Sequence, residues 1–65
     1  MSSVIVKVTA GASREQKARV IERITAVLQE EMGKNPETTH VLIEEVPLDA
    51  WGLRGKTVEA IRAGK

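Results

Sequence analysis

The sequence predicts a small α+β subunit: a parallel pair of strands joined by one long helix, with a C-terminal hairpin after them. Three stretches carry that prediction. Ser3 to Thr9 alternates, with Val4, Val6 and Val8 on one side and Ser3, Ile5 and Lys7 on the other. Period-two alternation of β-branched residues marks a strand. Ser13 to Gly33 runs without a proline or an internal glycine, and its apolar residues fall mostly three or four apart. That spacing makes one apolar face of a helix. Val41-Leu42-Ile43 is a continuous apolar run, as in a strand covered on both faces. Strand, helix and strand in this order form a βαβ unit with a right-handed crossover.

Each element has its own start and stop signals. Ala10-Gly11-Ala12 is the loop that delivers the chain to Ser13. Ser13 followed three residues later by Gln16 is a capping box, in which each side chain meets the other's backbone N–H. Glu15 lies in the first turn, where the positive end of the helix dipole favours a carboxylate. The apolar face is Ala18, Val20, Ile21, Ile24, Val27, Leu28 and Met32, and the opposite face carries Arg19, Glu22, Arg23, Gln29 and Glu30. Gly33 closes the helix as a left-handed cap. Lys34-Asn35-Pro36-Glu37 is a turn, because proline lacks the N–H that a continuing helix needs. From Pro47 the text changes, and Gly52 and Gly55 flanking Leu53-Arg54 point to a tight hairpin. The tail from Glu59 to Lys65 has weak signals and is expected to be partly frayed.

Size and composition narrow the function. At 65 residues the chain is a single domain, 1–65. A domain this short buries only ~60% of its unfolded surface. With no cysteine there is no disulfide, thiolate metal site or cysteine nucleophile, and one histidine excludes a multi-histidine metal centre. No metal and no cofactor are expected. A net charge of +1 and a single aromatic residue, Trp51, give no reason to expect nucleic acid. The N-terminus is too short and insufficiently apolar for a signal peptide or a membrane span, so a soluble cytoplasmic protein without a membrane partner is expected. A two-stranded sheet with one helix leaves a face and both edges bare, and Ile5 with part of the 41–43 run needs a second copy to cover it. Sheet-to-sheet or edge-to-edge assembly follows.

Taken together, the N-terminal strand, Gly11 before the Ser13-Arg14-Glu15-Gln16-Lys17 helix start, the Val41-Leu42-Ile43-Glu44-Glu45 strand and the Trp51-Gly52-x-x-Gly55 hairpin resemble the 4-oxalocrotonate tautomerase family. The match spans nearly the whole chain. The resemblance implies β-α-β subunits that pair into dimers, three of which form a hexamer. It implies keto–enol tautomerisation of a small unsaturated 2-oxo acid, with an N-terminal proline amine carrying the proton. Two arginines grip substrate carboxylates, and a hairpin aromatic lowers the proton affinity of the amine. Carried onto this sequence, the proline position holds Ser2, preceded by Met1. The arginine positions hold Ala12 and His40, and only the aromatic survives, as Trp51.

The candidate site is therefore assembled from what remains. An α-amino group titrates near 7.7–8.0 before any perturbation, in the range where a general base is most effective. A free amine at Ser2, or at Met1 if that residue stays, can act as the base. Retention of Met1 displaces the amine by ~3.3 Å, and misplacement on that scale costs ~10²-fold in rate. His40 is a candidate carboxylate-binding cation or acid, against a hydrogen-bonded polar residue at a strand start. Trp51 lines a pocket or plugs an interface. Arg54, between the hairpin glycines, replaces the missing arginines or is a solvated loop charge. Lys7 is a further cation, or pairs with Glu44 or Glu45 across the sheet. Glu44 and Glu45 point to opposite faces and make no acid–base dyad. Three roles follow: a weak tautomerase, a non-catalytic subunit of a hetero-oligomeric tautomerase, or a binding protein using the same cavity. The partners expected are a small oxo-acid substrate and, for the assembly, either identical or related chains.

Overall fold

The computed structural model describes residues 1–64. Strand β1 (Ser2–Thr9) runs parallel to β2 (Thr39–Val46) in unbroken register, from Ser2 opposite Thr39 to Thr9 opposite Val46. Between them lies helix α1 (Arg14–Met32), packed chiefly over β2. Both of its ends are the expected ones. The Ser13 side chain accepts from the Gln16 N–H at 3.1 Å, while the Gln16 side chain accepts from the Ser13 N–H at 2.8 Å. Gly33 is left-handed at φ 65°, and Lys34 N–H reaches back to the Leu28 carbonyl at 3.2 Å, which closes the helix in a conformation glycine takes without strain. The turn from Lys34 tightens into a short 3₁₀ segment, Pro36–Thr38, capped by the Asn35 side chain.

Alternation sorts the strand residues onto two faces. Val4, Val6, Val41 and Ile43 are half-buried on the side that α1 covers. Ser3, Ile5 and Lys7 with His40, Leu42 and Glu44 form the other side, which is bare: Ile5 is 55% exposed and Leu42 47%. The apolar 41–43 run thus has one covered face within a single chain. Its second face stays in solvent.

The C-terminal segment is a separate small body. A 3₁₀ turn, Leu48–Ala50, leads into a two-stranded hairpin, β3 (Gly52–Leu53) and β4 (Lys56–Thr57), and then into α2 (Val58–Arg62). Arg54 and Gly55 both have positive φ, 55° and 77°, which is the backbone of a type I′ turn. The Trp51 carbonyl accepts from the Val58 N–H at 2.9 Å and closes the unit. The tail is better ordered than its sequence suggests. Thr57 caps α2 by accepting from the Ala60 N–H at 3.0 Å, and Val58, 8% exposed, is the one buried apolar residue among the described residues. The expected fraying of 59–65 is therefore corrected for all but residue 65, which lies outside the described residues. What the sequence hid was a five-residue helix whose cap is a threonine inside the hairpin.

A lone chain of this shape is not a globule. Its radius of gyration is 15.2 Å, against about 11 Å for a compact domain of this length. Its accessible surface is 5169 Å², against roughly 4,100 Å² for a folded protein of its mass. The excess, on the order of 1,000 Å², is the size of one partner's share of a standard interface.

Candidate functional site

The site is built at the start of the two parallel strands. Met1, Ser2 and Ser3 come from the beginning of β1, and His40 and Leu42 from β2; together they line an open depression of about 350 Å³. The register explains the grouping. Ser3 stands opposite His40 and Ile5 opposite Leu42, so the polar residues lie toward the chain terminus and the apolar pair follows. The wall is accordingly mixed: the His40 imidazole and the Ser3 hydroxyl lie on the open face with Met1 and Leu42, while the Ser2 hydroxyl is bonded to Thr39.

Charged side chains are placed around this depression rather than in it. Lys7, on the same open face, lies 4.0 Å from Glu44, with both side chains well exposed. Glu45, on the opposite face, is engaged with α1: it accepts from the Lys17 ammonium and, at 3.4 Å, from the Gly11 N–H. Those bonds hold the Glu45 carboxyl below the usual carboxylate range, the Lys17 bond contributing most. Glu45 thus fastens the crossover loop, which carries Ala12, to the end of β2. The opposed orientation of Glu44 and Glu45 agrees with their places in the strand alternation.

Of the candidates named from sequence, Met1, Ser2 and His40 are brought together. Trp51 and Arg54 are not. Both belong to the C-terminal body, whose α2 packs on the 3₁₀ turn and β4 of that same segment. Trp51 is half-buried there, and Arg54 is exposed at the tip of the hairpin. Ser3 and Leu42, which line the depression, were not singled out by residue chemistry, although the strand alternation places Ser3 on the Ile5 face. What was missing was the register that sets Ser3 beside His40. Thr39, hydrogen-bonded through its hydroxyl to Ser2 at 3.1 Å, also escaped notice.

The comparisons with known proteins bear on this geometry. A family model described as tautomerase enzyme matches residues 3–61. The chain belongs to the tautomerase family. A probable tautomerase of Halalkalibacterium halodurans is 41% identical over 58 residues, covering 89% of this chain and 95% of its own. A 2-hydroxymuconate tautomerase of Comamonas testosteroni is 37% identical over 51 residues, 78% of this chain and 81% of that one. Among solved structures, TomN, a 4-oxalocrotonate tautomerase homologue in the tomaymycin biosynthetic pathway, superposes with a TM-score of 0.91 at 31% identity over 94% of each chain. A heterohexamer 4-oxalocrotonate tautomerase from Chloroflexus aurantiacus shares the fold, with a TM-score of 0.87 at 24% identity over 95% of this chain and 100% of its own. The β-α-β layer and hairpin described above are thus the tautomerase fold. Among the described residues no helix is long and apolar enough to cross a membrane.

Proposed function

We propose that the chain is an isomerase that interconverts the enol and keto forms of a small unsaturated 2-oxo acid, using its N-terminal amine as proton carrier. The observation that carries this reading is the position of the chain terminus in a depression with an aliphatic wall, beside His40. The neutral amine takes the hydroxyl proton of the enol as the C=O bond forms, and the ammonium then returns a proton to a carbon of the resulting dienolate. The amine is regenerated, nothing is oxidised or reduced, and no cofactor takes part. His40 serves the substrate carboxylate. Trp51 and Arg54 reach the depression from a neighbouring copy in a hexamer, the former as an apolar wall and the latter as a second cation. With Ser2 in place of the proline, the amine is primary and lacks the ring that fixes its direction. Turnover is accordingly slow.

The test is a 2-hydroxymuconate tautomerisation assay on protein whose first residue is established by mass. Chain starting at Ser2 should turn over slowly, and Ser2→Pro without Met1 should raise kcat/KM by at least tenfold. An unchanged rate in that variant means the terminus is not the base. Absence of turnover in correctly processed assembled protein removes the isomerase reading.

A second reading is a non-catalytic subunit that completes the site of a related chain in a mixed hexamer. It is favoured by the residues at the positions where the family resemblance expects a proline and two arginines, which are Ser2, Ala12 and His40. Native mass spectrometry of the protein alone and co-expressed with a proline-bearing tautomerase separates the two. Mixed hexamers with activity exceeding that of the pure partner support the second reading; exclusive self-assembly removes it.

A further inference from the structure

Proton counting at the start of the strands assigns a role to a residue that the family comparison leaves unmentioned. The Thr39 hydroxyl lies 2.8 Å from the Asn35 carbonyl and 3.1 Å from the Ser2 hydroxyl. A hydroxyl has one proton to give and two lone pairs with which to accept. The Asn35 carbonyl has no proton, so Thr39 must donate to it, and the Ser2 contact then has only one possible direction. Ser2 donates, and Thr39 accepts. The Ser2 hydroxyl proton is committed to Thr39, and its oxygen is turned into an acceptor for anything else beside it. The anchor beneath Thr39 is itself fixed. Asn35 caps the 3₁₀ turn with its side chain on the Glu37 N–H at 2.9 Å, and its carbonyl also accepts from the Thr38 N–H at 3.1 Å.

This chain of bonds ends at Ser2, the first residue of β1. The first residues of a chain fray unless something ties them down, and Met1 is 94% exposed, with no packing to hold it. The geometry points to Thr39 as the positioning residue for the N-terminal amine: its hydroxyl clamps Ser2 to the 3₁₀ turn and so aims the chain terminus over the depression. The clamp also removes Ser2 as a proton donor to a substrate, since its only hydroxyl proton is spent on Thr39. The contribution of Ser2 is to hold and orient the amine. This inference rests on the reading of the terminus as the proton carrier, but the clamp itself can be judged without turnover.

The experiment compares Thr39→Val, Thr39→Ser, Ser2→Ala and the double variant Thr39→Val/Ser2→Ala in assembled protein. Valine matches threonine in shape and suits a strand at least as well, so a fold effect and a hydroxyl effect separate. Thr39→Val should lower kcat about fivefold, the ratio that one ordinary hydrogen bond carries, with KM unchanged. Thr39→Ser should restore it. Ser2→Ala should show the same loss, and the double variant no further loss, because each breaks the Ser2–Thr39 bond through which the terminus is held, and the Thr39–Asn35 bond that valine also loses reaches the terminus only through it. Independently, amide relaxation at Ser3 and Val4 should show a more mobile chain end in Thr39→Val and an ordered one in Thr39→Ser. An equally ordered chain end in wild type and Thr39→Val overturns the clamp, whether or not the protein turns over. A mobile chain end with unchanged kcat overturns the positioning role. Absence of turnover in wild type removes the isomerase reading alone.

Discussion

At the scale of single residues, Glu45 shows how a side chain on an exposed strand end can fix a loop. Its carboxylate meets the Lys17 ammonium and the Gly11 N–H, and both favour the charged form. A group whose affinity for its proton is lowered by folding stabilises the fold at a pH above its unfolded value, and that contribution fades as the pH falls through its folded value. Wild type should therefore unfold at higher urea than Glu45→Gln at pH 7. The gap should narrow as the pH drops through and below the ordinary carboxylate range. A gap that does not change with pH would mean that the charge on Glu45 contributes nothing to it, and no gap at any pH that the amide replaces the carboxylate fully. The effect is modest, because the pair is solvent-facing and screened by salt. Its value lies in holding residues 10–12 against β2.

Among the elements, α1 owes its boundaries to local chemistry and its place to packing. The Ser13–Gln16 box and the left-handed Gly33 fix where it starts and stops, independently of the rest of the chain. The hairpin is different, since it carries a local cost. Arg54 occupies the first central position of a type I′ turn at φ 55°, where a side chain is strained and glycine is not. Arg54→Gly should raise the stability of the assembled protein by about 0.5 to 1 kcal/mol, the strain relieved less the added entropy of a glycine in the unfolded chain. If Arg54 grips a carboxylate, the same variant raises KM while the thermal midpoint rises. Opposite signs from one substitution distinguish a binding residue from a solvated turn charge; an unchanged KM would assign Arg54 to the turn alone.

Considered as a whole, the chain is a thin layer with an arm. Extents of 46 by 23 by 15 Å leave little interior. On α1, Val27 is 53% exposed, and on the open sheet face Ile5 and Leu42 are as bare. A monomer with one buried apolar residue among those described cannot offset the conformational entropy of its own ordering. Assembly and folding are then one equilibrium, and the unfolding temperature should rise with protein concentration. Leu42→Asp puts a charge in the middle of the open face and should abolish assembly and the folded circular-dichroism signal together, as read by sedimentation and spectroscopy on one sample. A compact folded monomer in that variant would refute the coupling.

The sequence by itself determined β1, α1 with both its ends, and the hairpin, and it located β2, because alternation, helical spacing, the capping box and the glycine stops act over a few residues; α2, capped by a threonine inside the hairpin, escaped it. The valines at 4, 6 and 8, the pair Ser13 and Gln16, and Gly33 needed no distant partner to be read. It also showed that the layer was incomplete, since Ile5 and part of the 41–43 run had nothing to cover them, and the structure identifies that part as Leu42. Only the tertiary structure decided which side chains meet. The register that sets Ser3 beside His40 and Ser2 beside Thr39 depends on how a nineteen-residue helix returns the chain to the first strand. The separation of Trp51 and Arg54 from Met1 and His40 was equally invisible, because the hairpin closes on α2 through a bond between Trp51 and Val58. Propensity is local, whereas a site is a matter of contacts across the fold, and those are set by packing.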